Sequence, residues 1–171
     1  MRRMIFMAAV ACLALFVSCE KQSVEHTGDP TGKLYGTWVL DTKDVVSETT
    51  TNGKSEQDRI NTDFTDGSFY LLLAKPRVAV ATFDLNNADL NGEDSFSYNA
   101  NSMMITFNRK LELTSAFPVR VMLLDGTYDV LEMSDRLVLR SLPDEIIVSN
   151  LVRTKKTTTY TFHRLVERPQ Q

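Results

Sequence analysis

The sequence predicts an antiparallel all-β domain, closed either as a barrel or as a two-sheet sandwich. From Leu34 onward, short runs rich in Thr, Val, Tyr and Phe alternate with polar residues, and turn residues separate the runs. Alternation gives each strand one apolar face, as in antiparallel sheets with one solvated side and unlike buried parallel sheets. About eight to ten such strands need closure or a second layer, because open edges promote aggregation.

The individual strands can be assigned in chain order. The predicted segments are Leu34–Thr42, Val45–Thr51, Ser68–Ala74, Val78–Leu85, Phe96–Tyr98, Met103–Asn108, Val119–Leu124, Tyr128–Met133, Leu137–Leu142 and Thr157–Leu165. Asn52-Gly53 and Asp125-Gly126 are hairpin-turn signals, and Ser134-Asp135 predicts a further tight turn. Only residues 54–65 and 143–152 are compatible with short helices. A basic cluster lies after the second of these, and we interpret it as a solvated hairpin tip: Arg153, Lys155 and Lys156.

The N-terminus has the three parts of a bacterial lipoprotein signal peptide. Arg2 and Arg3 form a positive segment, an uncharged apolar stretch runs from Ile5 to Val17, and small Ser18 precedes Cys19. The apolar stretch is too short to span a bilayer as a helix, which needs about 20 residues. Phe16-Val17-Ser18-Cys19 resembles the lipobox of lipoproteins, with Phe where Leu is usual. The resemblance implies cleavage before Cys19 and attachment of lipid to its thiol.

The chain then divides into four parts. Residues 1–18 are the predicted signal peptide, residues 19–33 a lipidated cysteine with a flexible tether, residues 34–167 the β-domain and residues 168–171 a disordered tail. The predicted location is the cell envelope, anchored in the outer membrane through Cys19. Because Glu20-Lys21-Gln22 is not a dense acidic run, the periplasmic and the surface-facing side both stay open.

The composition argues against an enzyme. Cys12 leaves with the signal peptide and Cys19 is consumed by lipid, so the β-domain has no cysteine for a disulfide, a zinc–thiolate site or a nucleophile. His163 is the only histidine of the domain, which excludes a two-histidine metal site. No spacing among the acidic residues singles out a catalytic pair.

Binding of nucleic acid or of a cofactor is not expected either. The net charge is −3 and becomes more negative when Arg2 and Arg3 are removed, whereas phosphate contact needs clustered Lys and Arg. No glycine-rich phosphate loop is present. The best cation candidate, Asp84-x-Asn86-x-x-Asp89-x-Asn91-Gly92, lacks the regular calcium-loop pattern and its distal Glu. We therefore expect no metal and no cofactor.

Three short motifs, in this order, resemble those of the lipocalin-like (calycin-like) lipoproteins of Bacteroidetes. They are Leu34-Tyr35-Gly36-Thr37-Trp38-Val39-Leu40, Phe64-Thr65-Asp66-Gly67-Ser68-Phe69 and Tyr160-Thr161-Phe162-His163-Arg164. The resemblance implies an up-and-down lipocalin-like barrel of about eight strands; the β-sandwich that the strand pattern also allows is the alternative. It also implies that Trp38 plugs the closed end of the barrel and that Arg164 packs across the indole.

The resemblance implies a non-catalytic, membrane-anchored module that binds a small apolar ligand in its barrel mouth. The inward-facing residues that could line such a pocket are Phe96, Tyr98, Met103, Ile105 and Phe107; the competing interpretation is that they are ordinary core residues. An alternative function is a protein-interaction or inhibitor module with a filled barrel, which contacts an envelope protein through the predicted long loops at residues 85–95 and 143–156.

Overall fold

The computed structural model describes residues 30–65, 69–86 and 93–165. The predicted signal peptide, Cys19, the tether up to residue 29 and the C-terminal tail lie outside the described residues. The elements are a short helix α1 (Pro30–Leu34) and the strands β1 (Gly36–Thr51), β2 (Lys54–Asp63), β3 (Tyr70–Ala74), β4 (Val78–Thr82), β5 (Glu93–Asn99), β6 (Met104–Ala116), β7 (Val119–Met133), β8 (Arg136–Ser141), β9 (Asp144–Ser149) and β10 (Val152–Arg164).

All ten strands belong to one antiparallel sheet, in the order β2-β1-β3-β4-β5-β6-β7-β8-β10-β9. An additional pairing of β1 with β10 closes eight of them, β1, β3–β8 and β10, into a ring. The predicted all-β, up-and-down, barrel-like architecture is confirmed. The sandwich alternative is wrong, because β1 hydrogen-bonds to β10 and leaves one closed sheet.

The remaining two strands form a four-stranded extension outside the ring. Strand β1 is so long that Gly36–Val39 pairs with β3, whereas Thr42–Thr51 pairs with β2. Strand β10 divides in the same way, between β8 at Thr159–His163 and β9 at Val152–Lys156. We call the sheet formed by residues 42–63 and 144–158 the extension.

Several local predictions are corrected by this pairing. Residues 54–65 and 143–152 are mainly strands β2 and β9, not helices, because long neighbouring strands offer them backbone partners that override a weak helical preference. The segment 143–156 is therefore not a long loop. The basic cluster lies within β10, and the hairpin tip is at Asn150-Leu151.

Two predicted strand breaks are also absent. The two segments predicted as Leu34–Thr42 and Val45–Thr51 are joined in the single strand β1, Gly36–Thr51, with a register shift between Leu40 and Thr42. Asp125-Gly126 is not a hairpin turn but lies inside β7, where Gly126 has a φ of +73°. It stands opposite Phe107, beside the β-bulge in which residues 108–110 of β6 face only Asp125 of β7. The Asn52-Gly53 and Ser134-Asp135 turns are confirmed.

The first residues of the domain also differ from the prediction. Residues 30–33 belong to helix α1 and not to the tether, and Leu34 ends that helix instead of starting a strand. The Leu34 side chain is fully buried, so burial against the barrel offsets the entropy cost of ordering this turn.

The barrel interior is filled with apolar side chains. Among the described residues, twenty-two buried ones form one hydrophobic cluster, and each is at most 4% exposed. Aromatic rings recur through the cluster, including the edge-to-face pair Phe107–Tyr128 with centroids 5.9 Å apart and the tilted pair Tyr128–Tyr160 at 6.3 Å. In the described part of the chain, no buried side-chain nitrogen or oxygen lacks a hydrogen-bond partner.

Candidate functional site

The strand register defines two ends of the barrel. Helix α1 lies at the end where β1 begins and β10 finishes, which we call the helix end. The turns at residues 75–77, 100–103 and 134–135 are at the same end. The extension and the β6–β7 turn at residues 117–118 lie at the opposite, far end.

The predicted plug residues meet at the helix end. Trp38 is fully buried, and Arg164, its partner across the β1–β10 pair, holds its guanidinium carbon 4.2 Å from the indole centroid. The indole Nε1 donates to the Leu34 carbonyl at 2.9 Å. Arg164 donates to the carbonyls of Tyr35, at 2.9 Å, and of Lys33. Cation–π attraction and these hydrogen bonds together seal this end and attach helix α1 to it.

Gly36 explains how the arginine reaches this position. Its φ is +146°, and a Cβ atom built there would lie 2.6 Å from Nη1 of Arg164. Only glycine gives both the backbone conformation and the space. The Gly-x-Trp pattern is thus a packing requirement for the arginine.

The far end is closed in a different way, by side chains that hydrogen-bond to the β6–β7 hairpin. The outer part of the β6–β7 hairpin is hydrogen-bonded by side chains of β1 and β10, and Lys43 Nζ on β1 donates to the Val121 carbonyl at 3.0 Å. Tyr160 Oη donates to the Leu123 carbonyl at 2.7 Å and accepts from the Leu123 N–H at 3.2 Å. The guanidinium of Arg120 lies 5.9 Å from the Phe64 ring centroid. Side chains from β1 and β10 therefore reach the hairpin across the mouth.

Burial changes the proton affinity of the groups that make this closure. Desolvation, followed by the nearby charge of Lys156, lowers the pKa of Lys43 from its ordinary value of 10.5. Desolvation raises the pKa of the Tyr160 phenol, and the pKa of Tyr128 rises for the same reason. Both tyrosines are therefore neutral donors at physiological pH. Their role here is structural.

One buried carboxylate, which the sequence did not single out, bonds to the bulge of strand β6. Asp94 is 5% exposed and accepts from the N–H of Arg109 and from its neighbour Ser95, each at 2.6 Å. Arg109 lies in the bulge between Phe107 and Leu111. The sequence did not reveal this role, because Asp94 lies in a polar stretch with the composition of a solvated loop.

The five predicted ligand-lining residues lie on the β5–β6 hairpin but have different surroundings. Phe96, Ile105 and Phe107 are buried in the core, with exposures of 0–2%. Tyr98 is half-buried and donates to Met103 Sδ at 3.1 Å. Met103 is not in a strand; it lies in the β5–β6 turn with a φ of +52° and is 37% exposed. The set does not surround one space.

The extension has solvent on both of its faces. Every residue of β9 is exposed, as are nine of the ten residues of β2. Exposed apolar side chains nevertheless concentrate there: Ile60, Ile146, Ile147, Val148 and Leu151. From the strand alternation, Val45, Ile60 and Ile146 share the face that continues the barrel interior, and Ile147 is on the opposite face. A sheet of this kind is suited to contact another macromolecule.

Opposite charges face each other across the strands of the extension. Lys155 stands directly opposite Glu48 on one side and Glu145 on the other, and Lys156 stands opposite Asp144. Arg59 on β2 forms a 2.7 Å ion pair with Asp44. Such cross-strand pairs stabilise sheet pairing by about 0.2–1 kcal/mol each. They support a sheet that has little apolar burial of its own.

Three surface concavities are lined by described residues outside the hydrophobic core. One of about 400 Å³ is lined by Thr49, Thr51, Asn52, Lys54 and Glu56, and one of about 230 Å³ by Glu48, Thr50, Glu145, Arg153 and Lys155. Both lie on the extension. A third, of about 250 Å³, lies beside Asp94 and Arg109. They are open to solvent and lined mainly by polar and charged residues, unlike the enclosed apolar pockets that hold small ligands.

Residues with catalytic or metal-binding potential are scattered. His163 is on the outer wall, with Nδ1 2.6 Å from Asp41 Oδ1, and both side chains are partly exposed. In the cation candidate, Asp84 Oδ1 accepts from the Asn86 N–H at 2.9 Å, while residues 87–92 lie outside the described part. Across residues 30–65, 69–86 and 93–165, no group of three or more His, Cys, Asp or Glu residues is arranged to hold a metal ion.

Among the residues that the structure describes, no helix is long and apolar enough to cross a bilayer. The chain was also compared with known proteins. No family model, no curated protein and no solved structure matches it.

Proposed function

We propose that this protein is a lipid-anchored, non-catalytic interaction module of the cell envelope, with the lipocalin-like barrel as scaffold and the extension as contact surface. The observation that carries the proposal is the extension itself. It presents apolar side chains on both faces, next to a barrel whose interior is already filled.

The barrel interior supports this function better than binding of a small apolar ligand. Trp38 and Arg164 seal the helix end, and the β6–β7 hairpin, bonded to Lys43 and Tyr160, covers the far end. Phe96, Ile105 and Phe107 are core residues between these two closures. A ligand of the size that barrels usually hold would have to displace several of them, and each displacement costs packing energy.

The orientation of the two ends also supports the proposal. The chain enters the barrel at the helix end through α1, eleven residues after Cys19. The extension lies at the opposite end of the barrel from Pro30, where the described part of the chain begins. Several acyl chains are needed for stable anchoring, which a lipoprotein modification at Cys19 provides.

Anchoring is tested with Cys19→Ser in the full chain. We expect the variant to stop incorporating labelled fatty acid and to move from the membrane to the soluble fraction, because the thiol that receives the lipid is gone. Cys12→Ser is the matched control, since Cys12 lies inside the predicted signal peptide, and it should leave both readouts unchanged. Full membrane retention of Cys19→Ser would contradict the anchoring proposal.

The contact surface is tested by a pair of variants with the same chemistry. Ile147→Lys on the extension should weaken cross-linking of the protein to its envelope partner by about tenfold, whereas Leu131→Lys, an exposed apolar residue on the barrel wall, should not. Native mass spectrometry of the purified protein tests the alternative function, binding of a small apolar ligand. A stoichiometric co-purified apolar molecule, retained by both variants, would favour ligand binding instead.

A further inference from the structure

We propose that the helix end of the barrel is a second membrane contact, where cationic and amphipathic side chains bind the anionic phospholipid headgroups of the bilayer that holds the anchor. We call this surface the basic patch, and it consists of Lys33, Tyr35, Lys75, Arg77, Tyr98 and Met103. This inference rests on the proposed function, because it takes anchoring at Cys19 as given and adds a bilayer contact made by the domain itself.

Contacts between neighbouring elements bring the cations of the patch together. Lys75 Nζ lies 5.7 Å from the ring centroid of Tyr35, which follows helix α1. The Tyr35 ring packs on Phe96 of β5, with the two centroids 6.2 Å apart. The Phe96 N–H donates to the Arg77 carbonyl at 3.0 Å. The end of α1, the β3–β4 turn and strand β5 therefore form one surface.

The β5–β6 hairpin adds amphipathic surface to these cations. Tyr98 is two residues beyond Phe96 and lies on the same face of β5. Its ring is half-buried and its hydroxyl donates to Met103 Sδ, while Met103 itself is 37% exposed. Tyrosine is enriched at membrane–water interfaces, because its ring is apolar and its hydroxyl is polar. Cations beside such rings have the composition of a surface that binds phospholipid headgroups.

Positive charge predominates at the helix end. Lys33, Lys75 and Arg77 are all exposed, and none of the ion pairs among the described residues involves them. The β7–β8 turn has one charge of each sign, Asp135 and Arg136, and contributes none on balance. Clustered lysine and arginine side chains next to a bilayer are attracted to its anionic lipids. The charge of this end thus complements an anionic membrane surface.

The far end carries both signs of charge. Lys54 and Arg120, near its turns, are accompanied there by Asp63, Asp84 and Asp144. Carboxylates are repelled by anionic headgroups, and this repulsion offsets the attraction of the cations. The two ends of the barrel therefore differ in the surface that they can approach.

The cationic end is also the end at which the described chain begins. Pro30 is eleven positions after Cys19, and a chain of that length spans at most about 40 Å. An acylated Cys19 therefore keeps the helix end near the bilayer. An acyl anchor and a cationic patch that act together are a common basis for stable membrane attachment.

The backbone of Arg77 gives an independent argument. Its φ is +138°, a conformation that glycine adopts far more readily than residues with a side chain. The Arg77 N–H donates to the Ala74 carbonyl at 3.0 Å, so the turn is held in this shape. The arginine side chain is exposed and gains no burial in return for the strain. A strained residue with an exposed, charged side chain indicates a role for that side chain beyond folding.

The test attaches a fluorophore to either end of the purified full chain. Asn101→Cys provides the site in the β5–β6 turn and Asn150→Cys the site at the tip of the extension; both are exposed asparagines in turns, and the unsubstituted chain gives the background. The protein is mixed with phosphatidylcholine vesicles that contain or lack anionic phosphatidylglycerol and carry a nitroxide quencher at the headgroup. Flotation with the neutral vesicles reports the anchor separately.

We expect the label at position 101 to be quenched in the anionic vesicles and the label at position 150 to be unquenched in both. The ratio of quenched to unquenched label at position 101 should fall at least about fivefold in neutral vesicles or at high salt, which screens the attraction. Lys75→Gln should lower that ratio about fivefold, because one cation is lost. Lys54→Gln is the same change at the far end and should have no effect.

The outcomes separate the basic patch from the anchor. If the protein floats with neutral vesicles but the label at position 101 is not quenched in anionic ones, the patch is overturned and the anchor stands. The patch is also overturned if both labels are quenched equally, or if lipid composition, salt and Lys75→Gln all leave the quenching unchanged. Flotation with anionic vesicles alone, weakened by Lys75→Gln, would support the patch and contradict the anchor. No flotation with either vesicle would contradict both.

Discussion

The barrel and the extension share two strands, yet these strands have different environments in the two regions. In the barrel, Leu40 on β1 and Phe162 on β10 stand opposite each other, and both side chains are fully buried in the core. Farther along the same pair, Thr49 and Thr154 are opposed and bonded through their hydroxyls at 3.2 Å, with solvent near both faces. The backbone pairing of β1 with β10 continues through both the barrel and the extension.

The difference shows what each region depends on. The barrel strands are held by burial, at about 25 cal/mol per Å² of apolar surface removed from water. The extension is held by backbone hydrogen bonds and by opposed charges such as Glu48 and Lys155, which contribute less than one kcal/mol each. Substitutions should therefore be costly in the barrel and nearly neutral for folding in the extension.

The largest effect is expected at the helix end of the barrel. Trp38→Ala should lower the free energy of unfolding by about 3–5 kcal/mol, because it leaves a cavity under Arg164 and removes the bond to the Leu34 carbonyl. Urea unfolding measures the change, and Leu131→Ala on the outer wall is the control, expected within about 0.5 kcal/mol. A loss below about 1 kcal/mol for Trp38→Ala would mean that the ring plugs no core.

A smaller effect is expected at the far end. Tyr160→Phe removes the hydroxyl that bonds both backbone groups of Leu123, and should cost about 1–3 kcal/mol at neutral pH.

This substitution also changes the pH dependence. Burial raises the pKa of Tyr160 above its ordinary 10.0, so its contribution to stability is complete below pH 10 and is lost as pH rises above that value. Unfolding measured from pH 8 to pH 11 should therefore show a shallower alkaline decline for Tyr160→Phe. Tyr128→Phe should act in the same direction, since burial raises that pKa as well. Parallel curves for both variants and the unsubstituted chain would contradict this account of the closure.

The smallest effect is expected in the extension. Ile147→Thr should change the free energy of unfolding by no more than about 0.5 kcal/mol, because the side chain is exposed. Ile105→Thr is the same chemical change in the buried core and should cost about 2 kcal/mol or more, since it buries a hydroxyl. A loss above about 1.5 kcal/mol for Ile147→Thr would show that this strand is covered within the same chain.

Much of the fold could be predicted from the sequence because most strands and turns are specified by residues close together in the chain. Period-two alternation located the strands of the ring, and the turn residues at Asn52-Gly53 and Ser134-Asp135 marked two of the hairpins. The Gly36-Thr37-Trp38 motif and Arg164 were predicted to meet only by resemblance, and they lie across one strand pair. The candidate contact surface was largely missed.

The missed features depend on contacts distant in sequence. Strands β2 and β9 lack an apolar face, so no periodicity identifies them; they are strands because β1 and β10 extend beyond the ring and offer free edges. Gly126 was predicted as a turn because glycine at positive φ serves turns and bulges equally. Asp94 gave no signal, because its partner Arg109 is fifteen residues away.

The sequence alone determined that this chain is an all-β domain with apolar alternation sufficient for a core, no cysteine in the β-domain, and the motif around Trp38. Composition and period-two patterning carry that information without reference to any distant residue. Only the tertiary structure decided that the barrel is closed by β1 and β10, that its ends are covered, and that the extension presents Ile146, Ile147 and Val148 to solvent. The physical reason is that exposure and edge pairing are properties of neighbouring strands, which an isolated segment does not encode.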